Sequence, residues 1–198
     1  MASSIFPLMQ KFLDDEWVKL DGNQITPWAF FNSAEPFQVK TFHGKPIACS
    51  GIKFSVSDRE IFWGKYIQPF IEDIANRAFD ESLRLSKDRQ IYAKEPLYET
   101  SGLLFSLARK AFRRMVTIDQ RLRGGGLPES VAPMNVDHEL GELEAFISRR
   151  LQSEISTLQS HLSWRLRKFH DGHPFVPWMI AALIAAFGST VALLNYLK

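Results

Sequence analysis

The sequence predicts a mainly α-helical protein: a helical cytoplasmic domain with one small β-hairpin, a long amphipathic stalk helix and a C-terminal transmembrane helix. Three patterns support this prediction. Apolar residues recur at helical spacing along most of the chain, alternate with polar residues at 36–56, and form an uncharged run at 175–197. We therefore divide the chain into a helical domain at 1–123, a linker at 124–136, a long helix at 137–170 and the membrane span.

Residues 4–20 form the first predicted helix. The acidic cluster that includes Asp14 argues against a helix on a membrane surface, because anionic headgroups would repel it. We therefore expect this helix to pack into the core, and we expect Gly22 to cap its C-terminus. Its apolar side chains lie at helical spacing, at Ile5, Met9, Phe12, Leu13, Trp17 and Leu20.

A change of pattern at residues 36–56 predicts a β-hairpin. The segment His43–Pro46 contains glycine and proline and predicts a turn. A lone hairpin is only marginally stable in water, so we expect it to lie on the helices. Apolar or β-branched residues alternate with polar ones on both sides of the turn, at Phe37, Val39, Thr41, Ile52, Phe54 and Val56.

Two further helices are predicted before the linker. A capping-box sequence starts the first at Ser57, and Pro69 should kink or restart it because proline lacks an amide donor. The second should open near Leu97 and end at Arg123. Three consecutive glycines and a proline-containing stretch then form the flexible linker at 124–136.

Residues 137–170 carry an apolar stripe that follows a helical repeat over about eight turns. Such a stripe needs a partner, and two are open: the same helix in another copy of the chain, or the N-terminal domain folded back on it. The segment His170–Pro174 should end the helix before the membrane. The stripe consists of Leu140, Leu143, Ile147, Leu151, Ile155, Leu158, Leu162, Leu166 and Phe169.

Residues 175–197 contain no charged side chain. At about 1.5 Å of rise per residue, a helix of this length can cross a hydrocarbon core of about 30 Å. A buried core helix is the alternative, but the many Leu, Ile, Val and Phe residues favour insertion, and no charge opposes it. The segment predicts a single-pass, tail-anchored membrane protein.

The flanks of this segment predict its orientation. Three basic residues precede it and only Lys198 follows it, so the positive-inside rule places the large domain in the cytoplasm. Basic residues at this depth meet lipid phosphates, and tryptophan prefers the headgroup level. The predicted lipid-interface residues are Trp164, Arg165, Arg167, Lys168 and Trp178.

The predicted span also carries a stripe of small residues. Small side chains at this spacing let two membrane helices approach closely, so we expect further copies of the chain as packing partners. Alanine is also common in membrane helices without any such role. The stripe consists of Ala181, Ala185, Gly188 and Ala192.

Basic residues crowd the predicted helix before the linker. One interpretation is a site for an acidic partner, lipid headgroups or nucleic acid. The other is a solvated face paired with the acidic residues between Glu72 and Glu81. Nucleic acid is not indicated, because the sequence contains no recognisable nucleic-acid-binding module. The basic residues are Arg109, Lys110, Arg113, Arg114, Arg121 and Arg123.

The composition excludes several kinds of chemistry. A single cysteine, Cys49, rules out an intrachain disulfide and a cysteine-based zinc site. His170, Asp171 and His173 are too few ligands for a metal site, so we predict neither metal nor cofactor. The sequence also lacks the P-loop, the nucleophile elbow, the zinc-protease motif and the dinucleotide fingerprint.

Arg165 and His170 have a spacing that resembles the R-x4-H ribonuclease motif of HEPN domains. The polar residue that usually follows the arginine is replaced here by Leu166. The resemblance would imply a membrane-tethered nuclease. Our leading hypothesis is instead a non-enzymatic, oligomeric scaffold, tether or membrane-acting effector. It would work through its cytoplasmic domain, with the bilayer, further copies and an unidentified protein as partners.

Overall fold

The computed structural model describes residues 3–26, 37–40, 42–49, 67–124 and 135–172. These residues are mainly helical, which confirms the predicted class. The chain divides into two compact units, Met1–Ile155 and Ser156–Lys198. The helices are α1 (Phe6–Leu20), α2 (Gln68–Asp88), α3 (Lys94–Gly124) and α4 (Asp137–Gly172).

Helices α1, α2 and α3 pack against one another. Polar contacts at their ends show their directions. Glu99, near the start of α3, accepts hydrogen bonds from the backbone N–H and the hydroxyl of Ser3, while Arg114 lies 3.3 Å from Asp21 after the end of α1. Helices α1 and α3 are therefore parallel. A hydrogen bond from the residue after α2 to the start of α1 makes α2 antiparallel to both.

The first half of α4 packs on α2 and α3. Glu144 lies 2.9 Å from Arg109 in the middle of α3, and Arg150 lies 3.2 Å from Asp80 of α2. Because α2 and α3 are antiparallel, Arg109 lies at the level of the first half of α2, whereas Asp80 belongs to its second half. From Glu144 to Arg150, α4 therefore passes from the first half of α2 to the second, so α4 runs parallel to α2. Four residues of the predicted stripe are buried here. They are Leu143, Ile147, Leu151 and Ile155.

This burial answers part of the question left open by the stripe. The segment from Leu143 to Ile155 belongs to the same compact unit as the N-terminal helices and is buried within it, which favours the second of the two predicted partners, the N-terminal domain. Leu140 and Leu158 are half-buried. The side chains of Leu162, Leu166 and Phe169 lie outside the described residues, so self-association of that part stays a prediction.

Small side chains are buried on both α2 and α3, which pack against each other. Ala75 and Ala78 of α2 and Ala108 and Ala111 of α3 are completely buried. Small residues at a helix contact allow the two backbones to approach closely. The completely buried Phe79 supplies bulk in the same region.

The end of α1 differs from the prediction. The chain does not stop at Gly22 but continues into a π-helical turn, Asp21–Ile25. The predicted glycine cap is therefore wrong. The extra turn brings Ile25 into the core, where it is completely buried, and Arg114 contacts both Asp21 and the hydroxyl of Thr26. Burial of an apolar side chain favours continuing the helix over ending it.

Helix α2 begins at Gln68, next to the proline that was predicted to kink or restart a helix, Pro69. This proline lies in the first turn of the helix, where its missing N–H needs no partner. Phe70 in the same turn packs edge-on against Phe42, with ring centroids 5.2 Å apart. The predicted start at Ser57 lies outside the described residues.

Two short strands, β1 (Phe37–Lys40) and β2 (Pro46–Cys49), form a two-stranded antiparallel sheet. Gly44 between them has a φ of 75°, a left-handed conformation that glycine adopts without strain. The returning strand thus begins at the end of the predicted turn. The residues that we expected in it, Ile52–Val56, lie outside the described residues.

Within the described part of the chain, no helix has both the length and the apolar character needed to cross a membrane. The predicted span at 175–197 lies outside that part and stays a prediction. Helix α4 ends at Gly172, inside the predicted break at His170–Pro174.

Ser82 offers a test of the contact between α2 and α3. Its Oγ is buried and has no hydrogen-bond partner among the described residues. We expect Ser82→Ala to raise the free energy of unfolding by about 1 kcal/mol, because the hydroxyl is desolvated without compensation. Chemical denaturation would measure the change. Ser156→Ala, at an exposed helical serine whose hydroxyl has no hydrogen bond among the described residues, reports the gain from helix propensity alone. A smaller gain at Ser82 than at Ser156 would contradict the assignment.

The end of α2 offers a second test. Gln90 has a φ of 57°, and the N–H of Ile91 donates to the carbonyl of Ser86 at 2.9 Å, which is a Schellman-type ending. We expect Gln90→Gly to stabilise the fold by about 0.5–1 kcal/mol, because glycine removes the strain of a left-handed Cβ. Thermal unfolding would measure it, with Gln90→Ala as the control. Equal melting temperatures for the two variants would refute the explanation.

Candidate functional site: the groove between α1 and α3

A groove of about 290 Å³ runs between α1 and α3. The two helices are parallel, so residues of α1 lie level with residues about 93 positions later on α3, as Asp21 and Arg114 do. The floor of the groove is apolar, and both edges are polar. The floor consists of Leu13, Trp17, Leu103 and Leu107, and the edges of Gln10, Asp14, Ser106 and Lys110.

A contact between Trp17 and Lys110 crosses the groove. The ammonium group of Lys110 lies 4.4 Å from the centre of the indole ring, a cation–π geometry. Both Lys110 and Asp14 are exposed, and neither has an ion-pair partner among the described residues. The groove therefore has an acidic group on its α1 edge and a basic group on its α3 edge.

The basic face predicted on α3 is divided by the structure. Arg109 pairs with Glu144 of α4, Lys110 lies on Trp17, and Arg114 pairs with Asp21. Arg113 and Arg121 are exposed, and neither has an ion pair within the described part of the chain. The side chain of Arg123 lies outside the described residues.

The predicted pairing of this basic face with the acidic residues of α2 is wrong. Asp73, Asp80 and Glu81 pair with arginines of α2 or α4, and Glu72 accepts a hydrogen bond from Gln68 of its own helix. Side chains three or four residues apart on one helix are already neighbours. The pairs are Asp73 with Arg77 at 2.8 Å, Glu81 with Arg84 at 2.6 Å, and Asp80 with Arg150 at 3.2 Å.

A buried carboxylate joins α1 to α2 behind the groove. The side chain of Glu16 is only 8% exposed, and its two oxygens lie 2.7 Å from Arg77 and 2.8 Å from Lys19. The hydrogen bond from Arg77 holds the pKa of Glu16 below its ordinary value, although burial opposes this shift. The same contact raises the pKa of Arg77. This is a charged pair that stabilises helix packing.

A smaller pocket of about 130 Å³ lies beside this pair, next to the π-helical turn. Its polar groups already bind one another through Glu16, Arg77 and Asp73. Among the described residues, no group of three His, Cys, Asp or Glu side chains could hold a metal ion. The α1–α3 groove is therefore the better candidate for binding.

The other predicted site residues have side chains outside the described part of the chain. Trp164, Arg165, Arg167 and Lys168 belong to α4, which is helical to Gly172, but their side chains lie outside the described residues. Trp178 and the small-residue stripe at Ala181, Ala185, Gly188 and Ala192 also lie outside them. Their roles at a membrane stay predictions.

Sequence reasoning missed the groove and the charged pair behind it. Trp17 was predicted as a core residue, yet it is only half-buried and carries Lys110 on its ring. Glu16 was predicted as part of an acidic cluster that repels membranes, yet it is buried. A usable signal was its place on the buried side of α1, between Leu13 and Leu20 at helical spacing.

Comparison of the chain with protein-family models, with curated proteins and with solved structures finds no match.

The Glu16 pair predicts a pH-dependent stability. We expect Glu16→Gln to lower the free energy of unfolding by about 1–3 kcal/mol at pH 7, because the buried charge-assisted hydrogen bonds are lost. A lowered folded-state pKa means that the stabilisation is complete above the unfolded-state pKa of about 4.3 and is lost as the pH falls through the folded-state pKa.

Denaturation at pH 7 and at about pH 3 would test this prediction. Protonation of Glu16 in acid lowers the free energy of unfolding of the natural protein toward that of the Glu16→Gln variant. Asp15→Asn is the matched control, because it breaks the exposed pair with Lys11 and should cost only a few tenths of a kcal/mol. A difference between the natural protein and Glu16→Gln that does not shrink in acid would contradict the assignment.

Proposed function

We propose that this protein is a non-enzymatic scaffold held at a membrane by residues 175–197, with its helical domain in the cytoplasm. The uncharged character of that segment is the observation that carries the proposal. The basic residues before it favour this orientation through the positive-inside rule. The domain would bind a protein partner or further copies of the chain.

The long helix supports this proposal. Helix α4 packs its first half on α2 and α3, where Ile147 and Leu151 are buried, and it continues as a helix to Gly172. The predicted anchor begins shortly after that residue. A chain that leaves a folded domain as helix and then enters a bilayer is well suited to tethering.

The electrostatic features of the domain also favour a structural role. The Glu16–Arg77 pair joins α1 to α2. The pairs Arg109–Glu144 and Arg150–Asp80 join α4 to α3 and α2. The α1–α3 groove has an apolar floor and a few polar edge groups, which suits the recognition of another protein surface.

A second candidate is a binder of an acidic partner through α3. Arg113 and Arg121 favour it, since both are exposed and have no ion pair within the described residues. Such binding would weaken steeply as salt rises, because exposed charges are screened.

Membrane fractionation tests the anchor. We expect the full chain to stay with membranes after an alkaline wash, whereas a chain ending at Gly172 is released, because the free energy of insertion resides in residues 175–197. Immunoblotting of both fractions would measure the partition. Replacing Ala185 by Arg in the full chain is a matched control, because a charge near the middle of the span opposes insertion.

Release of the full chain by the wash would show that the segment is not an anchor, and the proposed function would fail with it. Retention of the shortened chain would place membrane binding elsewhere in the protein.

A further inference from the structure

We propose that a second copy of this chain docks on the α1–α3 groove. The two copies would be related by a two-fold axis parallel to the helices, with Asp14 of each copy against Lys110 of the other. This inference rests on the proposed function, in which copies of the chain assemble at a membrane. It names the surface through which the scaffold assembles.

Charge complementarity identifies the occupant. The groove carries Asp14 on its α1 edge and Lys110 on its α3 edge, and neither has an ion-pair partner among the described residues. A surface with one acidic and one basic edge is complementary to a copy of itself rotated by two-fold symmetry, because each edge then meets the opposite charge.

The levels of Asp14 and Lys110 along the two parallel helices allow this pairing without any rearrangement of the chain. Since Asp21 lies level with Arg114, Asp14 lies level with Leu107, one turn from Lys110. A rotation about an axis parallel to the helices exchanges the two edges without shifting them along the axis. Asp14 of one copy therefore meets α3 of the other within about 5 Å of the level of Lys110, which is within reach of a lysine side chain.

The floor of the groove supplies the apolar contact. Trp17 and Leu103 are half-buried in the single chain, so part of each side chain still faces solvent. Interfaces between proteins concentrate aromatic residues at an apolar centre surrounded by polar groups. A second copy would cover Trp17 while its Asp14 meets the Lys110 that already lies on that ring.

Crosslinking between two differently tagged full-length chains in native membranes tests the surface. Both chains carry Cys49→Ser, which leaves no native thiol. One chain carries Gln10→Cys and the other Ser106→Cys, one on each edge of the groove. We expect a short thiol-reactive crosslinker to join the two tags. Arg149→Cys on α4, paired with Gln10→Cys, should give only background.

Charge reversal then tests the ion pairs. Asp14→Lys placed in both chains, or Lys110→Glu placed in both, should each lower the crosslinked yield about tenfold, because two attractive pairs become repulsive. Asp14→Lys in one chain with Lys110→Glu in the other should restore it, since both pairs are then again between opposite charges. Arg149→Glu in both chains controls for net charge.

The outcomes separate this inference from the proposed function. Background crosslinking between Gln10→Cys and Ser106→Cys, or yields that the reversals do not change, would overturn the inference and leave the groove to another occupant. An alkaline wash of the same membranes reports separately on the anchor. A lost yield that the mixed pair does not restore would also overturn the inference, because misfolding or another contact would then explain the loss.

Discussion

The buried pair between Glu16 and Arg77 is the constraint on which the arrangement of the other helices depends. It fixes the rotation of α1 on α2, because a carboxylate that is 8% exposed must face its guanidinium partner. The next residue along an α-helix lies about 100° further around. With Glu16 directed at α2, Trp17 is directed at α3, where Lys110 meets it. The groove follows from this one orientation.

The ends of α1 hold this orientation in register. Ser3 binds Glu99 at one end, and Arg114 binds Asp21 and Thr26 at the other. The π-helical turn adds one residue per turn relative to an α-helix, so it shifts the side chains that follow α1. It brings Ile25 into the core while leaving Asp21 within reach of Arg114. The turn therefore helps to keep α1 and α3 level.

Much of the helical architecture could be predicted from the sequence, because it depends on local patterns. Apolar spacing identified α1, α3 and α4, and Pro69 lies next to the start of α2. The charge partners could not be predicted, since they depend on which helices become neighbours. Arg109 could pair with many acidic residues, and only the packing of α4 on α3 brings Glu144 to it.

The same distinction explains the candidate site. A helix read alone shows Trp17 as apolar and Lys110 as part of a basic face, and neither pattern reveals that the two meet. Their contact requires α1 and α3 to be parallel and offset by about 93 residues, which no local pattern encodes. Gly22 failed as a cap for a related reason, because burial of Ile25 outweighed the local preference for an ending.

The stripe of α4 shows the same division between what a pattern encodes and what packing decides. Leu143, Ile147, Leu151 and Ile155 recur at helical spacing, and this spacing predicts one apolar face that must be buried. The spacing does not say against which elements. The ion pairs of the same segment, Glu144 with Arg109 and Arg150 with Asp80, join it to α3 and α2, and these partners become neighbours only in the folded chain.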